Sequence, residues 1–179
     1  MINYKDKSLE ASAVFFQGNK FVSWIVRFGG ILTKKYGHLL SLFSHVVTLY
    51  WDSVAGEIYA EEAVKPRVRI LPLRVLMQER KGEYYELVRL DKPIKEREFR
   101  RAVNDNIGKP YSYYTAVTSE ILSDNLPRKK HFKGIHCSFL DALLLKSAGV
   151  VKDIEPVEMT PDDCYYLRKS FNNMKRGKS

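Results

Sequence analysis

Two cysteines and four histidines are the residues of this chain whose types suit covalent chemistry. Cys137 stands in "KGIHCSFLDALLLKSAG", residues 133–149, at the mouth of an apolar helical stretch. Leu140, Leu143 and Leu144 supply an inward face, and Gly134 permits a tight backbone approach just before it. A cysteine at a helix N-terminus feels the positive end of the macrodipole and unpaired backbone N–H groups. With an imidazolium nearby, such settings bring a thiol pKa from ~8.5 down to about 3.5–7.5. The same N–H groups can stabilise a developing oxyanion. The bland alternative is a small buried core residue, the commoner state of a free cysteine.

A nucleophilic cysteine needs a base, and His136 is poorly placed to be one. Adjacent residues at a helix start point in different directions, so its ring does not face the Cys137 sulfur. His38 and His131 sit in Gly- or Lys-rich loop sequence and read as solvated. His45 differs, because it opens a strand whose next same-face residues are Val47, Leu49 and Trp51. A polar ring on an apolar strand face needs a partner. It is either a satisfied structural histidine or a general base at the edge of the sheet. Glu61 and Glu62 follow on the next strand, one on each face, and a carboxylate paired across the hairpin would support the imidazolium. The candidate constellation is Cys–His–Glu, in the chain order His, Glu, Cys.

The elements that must position these residues are legible from periodicity. Residues 13–16, "AVFF", read as a buried strand, and Phe21, Trp24, Ile25 and Phe28 as a helical stripe. "SHVVTLYW" and "EIYAEEAV" form a hairpin around a five-residue turn from Asp52 to Gly56. "RVRILPL" is a third strand, with Pro72 near its end or on an edge, and "YYELVRL" a fourth after the polar break "QERKGE". Ile94, Phe99, Ala102, Val103 and Ile107 mark a helix closed by Gly108. "YSYYTAVTSEIL" suggests another helix, and Gly149 ends the helix of Cys137. In "TPDDCYYLRKSF", Thr160 is an N-cap, Pro161 opens the first turn, and Asp162 and Asp163 complement the dipole. The fold class is α+β.

Composition sets the outer limits. The 179 residues suit one domain, with a core over about 11–170 and a basic tail at 171–179. Formal net charge is +9, which favours anionic surroundings such as acidic wall polymers or lipid headgroups. Nucleic acid is compatible with that charge but not favoured. Two cysteines give neither a disulfide framework nor a zinc pattern, and no Gly-rich phosphate loop is present. Neither metal nor cofactor is expected. No secretory signal or membrane span is apparent, so a cytoplasmic protein is the default, with release by lysis or in a phage particle also open. Arg168, Lys169, Lys175, Arg176 and Lys178, with no acidic residue between 165 and 179, read as a solvated, frayed terminus.

Several stretches in this order resemble the circularly permuted branch of the NlpC/P60 superfamily of papain-like cysteine hydrolases, in particular its YiiX/YebB-like group. They are "AVFFQGNKFVSWIVRF", "FSHVVTLYW", "IYAEEAVKPRVRILPL", "GKPYSYY", "HCSFLDALLLKSAG" and "EMTPDDCYYL", which together span roughly residues 11–170. Lecithin–retinol acyltransferase-like proteins are more distant relatives. The resemblance implies a papain-like fold: a central antiparallel sheet or partial barrel packed on helices, with the nucleophile at a helix N-terminus. It implies Cys137 as nucleophile, His45 as base and Glu62 as the orienting third member. Glu61 stays open as the alternative, since a one-residue register slip exchanges the faces. Tyr111 in "GKPY" matches a tyrosine that looks like a pocket residue, although a core or turn-flanking aromatic fits equally.

The expected activity is hydrolysis of amide or ester bonds through an acyl-enzyme. The resemblance implies peptide-like cell-wall amides or lipid acyl groups as substrates. Two alternatives remain: acyl transfer between lipids by the same residues, and a non-catalytic binding or structural module on the same scaffold.

Overall fold

The computed structural model describes residues 2–17, 42–113, 116 and 134–176. In chain order the elements are β1 (Ala13–Phe16), β2 (His45–Asp52), β3 (Glu57–Val64), β4 (Arg67–Pro72), α1 (Leu73–Glu79), β5 (Tyr85–Val88), α2 (Glu96–Asn106), α3 (Cys137–Ser147) and α4 (Pro161–Arg176). The class is α+β. The strands form an open antiparallel sheet in the order β4-β3-β2-β1-β5. The helical stripe expected at 21–28, His38 and His131, and most of the helix expected from Tyr111 onward, lie outside the described residues.

Period-two alternation sorts the sheet into two apolar faces. Val14, Phe16, Val47, Leu49, Ile58 and Ala60 pack with Leu9 and with Leu73 and Leu76 of α1. Ala13, Phe15 and Val46 face the other way, onto Cys137 and Ala142 of α3 and Cys164 of α4. The strand β1 is apolar throughout because both its faces are covered. Each fully buried Leu or Phe there contributes about 1.5–3 kcal/mol relative to exposure.

Local chemistry sets the element ends. Asp52 belongs to β2, leaving residues 53–56 as the hairpin loop, and its carboxylate accepts the N–H groups of Val54 (2.8 Å) and Ala55 (3.0 Å). Pro72 ends β4, an edge strand where a missing N–H costs no ladder bond. The short helix α1 replaces the end of the expected third strand and the start of the expected polar break. Leu73 and Leu76 lie three residues apart on its buried face, a stripe too short to stand out from the apolar strand before it. In α2, Phe99 and Val103 are buried as expected, but Ile107 is 49% exposed because it lies past the last helical turn. Likewise Leu143 of α3 is only half-buried, and Asp141 and Leu145 take the inward positions instead.

Buried polar ties hold α3 and α4 in place. Arg168 of α4 is completely buried, a correction to its expected solvated role. Its guanidinium donates to Asp141 Oδ1 (2.5 Å) and Oδ2 (3.1 Å) on α3 and to the Ala11 carbonyl (2.7 Å). The Thr48 hydroxyl of β2 donates to the same Asp141 at 2.7 Å. Lys169 pairs with Glu86 of β5. At the start of α4, Thr160 and Asp163 exchange hydrogen bonds of 2.9–3.1 Å, an acidic capping arrangement that anchors the helix end. The neighbouring Asp162 accepts the N–H groups of Leu42 and Phe43. These bonds fix the segment leading into His45 relative to the helix that starts at Cys137.

Candidate active site

Cys137 is the first residue of α3 and lies beneath the start of β2. Its sulfur stands beside the His45 ring and the backbone N–H groups of Val46 and Ser138, close enough for each to bear on its charge. Burial alone would push this thiol up. The imidazole charge, the His45 hydrogen bond and the two N–H donors outweigh it and bring the thiol below its ordinary value. His45 responds in kind. Burial and the nearby Arg80 guanidinium push its pKa down, while the Cys137 thiolate and the Glu62 carboxylate prevail and hold it above its ordinary value. The two groups titrate as a pair, and the shifts favour thiolate with imidazolium.

The third member of the cluster is a glutamate with no solvent exposure. Glu62 Oε1 accepts from His45 Nε2 at 2.9 Å and from Arg80 Nη2 at 2.5 Å. Its Oε2 accepts from Arg69 Nε at 2.8 Å, with Arg69 Nη2 in ion-pair contact at 2.7 Å. Burial pushes the carboxyl up, but His45 and Arg80 hold it far below the usual carboxylate range. With Nε2 engaged by Glu62, Nδ1 is the ring nitrogen left for the sulfur.

The hairpin register separates the two glutamates. Thr48 pairs with Glu61, so Glu61 shares the helix-side face with Thr48, and Glu62 points to the face of His45. Glu61 is 1% exposed, and neither carboxylate oxygen has a hydrogen-bond partner among the described residues. Burial pushes it up to about 9, with Lys109 only partly opposing.

Tyr111 is drawn alongside the site by its main chain. It bridges Ile135, two residues before the cysteine, and Ser112 N–H donates to the Ile135 carbonyl at 3.1 Å. Gly134, with φ of +114°, makes that approach possible: a Cβ there would meet the Ser112 Cβ at 2.9 Å and the Pro110 carbonyl oxygen at 3.0 Å. Burial raises the Tyr111 hydroxyl, and the charges of Cys137, Tyr113 and Glu62 add to it. Its ring meets Tyr113 edge-on with centroids 5.0 Å apart.

Neither His136 nor Cys164 joins the cluster. His136 is buried with Nε2 3.3 Å from the Met159 carbonyl, and burial brings it down to about 4. The Cys164 thiol donates to the Ser138 carbonyl at 3.5 Å, and burial and then Asp141 push it well above its ordinary value. Arg69 and Arg80 are the members that sequence reasoning missed. Arg69 was legible only as a strand residue, and Arg80 closes α1, a helix that the pattern did not reveal. Among the described residues, no three His, Cys, Asp or Glu side chains come together as a metal site. No described helix is long and apolar enough to cross a membrane.

No protein-family model matches the chain, and neither does any curated protein. Among solved structures it is similar to the crystal structure of the metalloprotein YiiX from Escherichia coli O157:H7. The TM-score is 0.56 and the identity 16%, covering 84% of this chain and 71% of that one. At that identity the likeness is one of fold: the chain has a YiiX-like fold.

Proposed function

We propose that the chain is a cysteine hydrolase of amide or ester bonds, related to the circularly permuted NlpC/P60 hydrolases and papain-like in its site. One observation carries this reading: the Cys137 thiol stands beside a His45 ring whose Nε2 is held by a buried, ionised Glu62. That is the nucleophile–base–orienter logic of covalent acyl transfer. The Cys137 thiolate attacks the substrate carbonyl carbon, and the His45 imidazolium gives its proton to the departing amine or alcohol. An acyl-thioester forms. His45 then takes a proton from water, the hydroxide displaces the thiolate, and a carboxylic acid leaves. Peptide-like cell-wall amides and acylated lipids are the substrate classes that fit.

The solved neighbour is described as a metalloprotein, and the donors here do not fit a metal. Both oxygens of Glu62 already carry guanidinium groups, so a metal at that carboxylate would sit against two cations.

Alkylation by iodoacetamide at pH 6, mapped by mass spectrometry, tests the reading. Cys137 is expected to react about tenfold faster than a free model thiol, because a larger share is thiolate at that pH. A rate no faster than the model thiol would remove the activated nucleophile. A Cys137→Ala variant that keeps full biological activity would leave a non-catalytic module as the answer.

A further inference from the structure

Two arginines from separate elements converge on one buried carboxylate beside the candidate base. Arg69 stands directly opposite Glu62 in the β3–β4 pairing and forks onto Oε2 through Nε and Nη2. Its Nη2 also meets Glu79 Oε2 at 2.7 Å, which holds the guanidinium from behind. Arg80 arrives from the end of α1. It lies over the Phe16 ring at 4.7 Å, bonds Glu83 Oε2 at 3.1 Å through Nη1, and reaches Oε1 through Nη2.

A carboxylate has about four lone-pair sites. Here three hydrogen bonds use them, from His45 and Arg80 on Oε1 and from Arg69 Nε on Oε2, and Arg69 Nη2 stands 2.7 Å from Oε2 as an ion pair. We infer that Arg69 and Arg80 are positioning residues: they hold both oxygens of Glu62 and keep Oε1 directed at His45 Nε2. The inference rests on the hydrolase reading of Cys137, His45 and Glu62.

The physical consequence is twofold. A carboxylate held by a guanidinium on each oxygen cannot rotate to offer the ring another geometry, so the His45 plane is set by β4 and α1 as well as by its own strand. Two cations against the carboxylate also oppose its protonation, so Glu62 orients the ring without taking part in proton transfer. Packing makes the clamp stiff, since Phe16, Glu79 and Glu83 restrain the guanidiniums in turn. Neither arginine has a described hydrogen bond to Cys137, and the Arg80 charge acting directly on His45 pushes the ring down, so a loss of thiol reactivity on their removal passes through Glu62.

A double-mutant cycle on the full chain tests this, with Cys137 alkylation by iodoacetamide at pH 6 as readout and near-UV circular dichroism as the folding check. Arg80→Gln and Arg69→Gln together are expected to slow alkylation about tenfold in the wild-type background, and Arg80→Lys to restore part of it. In a Glu62→Ala background the same arginine changes should cost less than twofold, because the group they act through is gone. Equal losses in both backgrounds would make the arginines props of the fold and overturn the inference. So would arginine variants within twofold of a wild type that is itself activated. A wild type no faster than a model thiol instead sinks the hydrolase reading, and the two failures are thereby distinct. If Arg80→Gln does not fold, Arg69→Gln carries the cycle alone, because its side chain is 40% exposed on an edge strand.

Discussion

On one face of β3, Glu62 meets three N–H donors; on the other face, one residue earlier, Glu61 meets none among the described residues. Both side chains are buried almost completely. Their chemistry diverges because a strand sends successive side chains to opposite sides, and the two sides are differently furnished. Towards α1 stand His45, Arg69 and Arg80, and the carboxyl is held ionised. Towards α3, the hydroxyl of the paired Thr48 is already given to Asp141, and the Lys109 ammonium bonds Asn106. Glu61 is therefore left protonated at neutral pH, pushed up to about 9 by burial. Asp141, on that same helix side, is instead held by the Arg168 guanidinium and the Thr48 hydroxyl.

Breaking the Asp141–Arg168 pair on the helix side should have the largest effect. Arg168→Met leaves the buried Asp141 without its guanidinium partner, and is expected to cost about 3–5 kcal/mol in urea unfolding. A loss below about 1 kcal/mol would mean that this face tolerates an unpartnered carboxylate as easily at 141 as at 61.

The next largest effect separates the glutamates by reactivity. Glu62→Ala should slow Cys137 alkylation at pH 6 about a hundredfold, at the lower end of what a positioned base contributes. Glu61→Met should leave the rate within twofold. Equal effects would mean that the two faces do not divide the labour as their contacts indicate.

Stability against pH sharpens the contrast further, because the two groups push in opposite directions. Glu62 is depressed in the folded chain, so its contribution is fully present above its ordinary value of 4.5 and is lost as pH falls below it. Glu61 is raised, so the folded state keeps a proton that the unfolded state releases. Stability therefore declines between 4.5 and about 9 and levels off above. Replacing it by Met should stabilise the chain by about 2 kcal/mol at pH 8, within the range for removing an unsatisfied buried group, and by less at pH 4.5. Thermal melts of both proteins at the two pH values read this directly, and a pH-independent difference would show that Glu61 is not held neutral. The smallest effect belongs to Arg69→Gln, which should cost no more than about 1 kcal/mol of stability because that guanidinium is substantially exposed.

Most of the sheet could be read from alternation, since β1, β2, β3 and most of β4 follow apolar runs bounded by turn residues. The short α1 could not, because two buried leucines in about two turns do not make a period. That omission hid Arg80. The pairing of Cys137 with His45 was reached through chain order and a family resemblance, with periodicity supplying only the strand and the helix that hold them. Arg168 shows the converse error: a basic residue in a basic terminus reads as solvated until a buried aspartate two elements away is known.

The sequence by itself determined the order of the five strands and of the helices at 96–106, 137–147 and 161–176, the cysteine at a helix mouth and the histidine at a strand start. Each of these depends on neighbours within a few residues, through periodicity, capping and turn preference. Only the tertiary structure decided which glutamate faces His45, what holds that glutamate, and whether the other has a partner. Register, burial and charge pairing arise between segments far apart in the chain, and a one-residue shift in pairing would have exchanged Glu61 and Glu62 without changing a letter of the sequence.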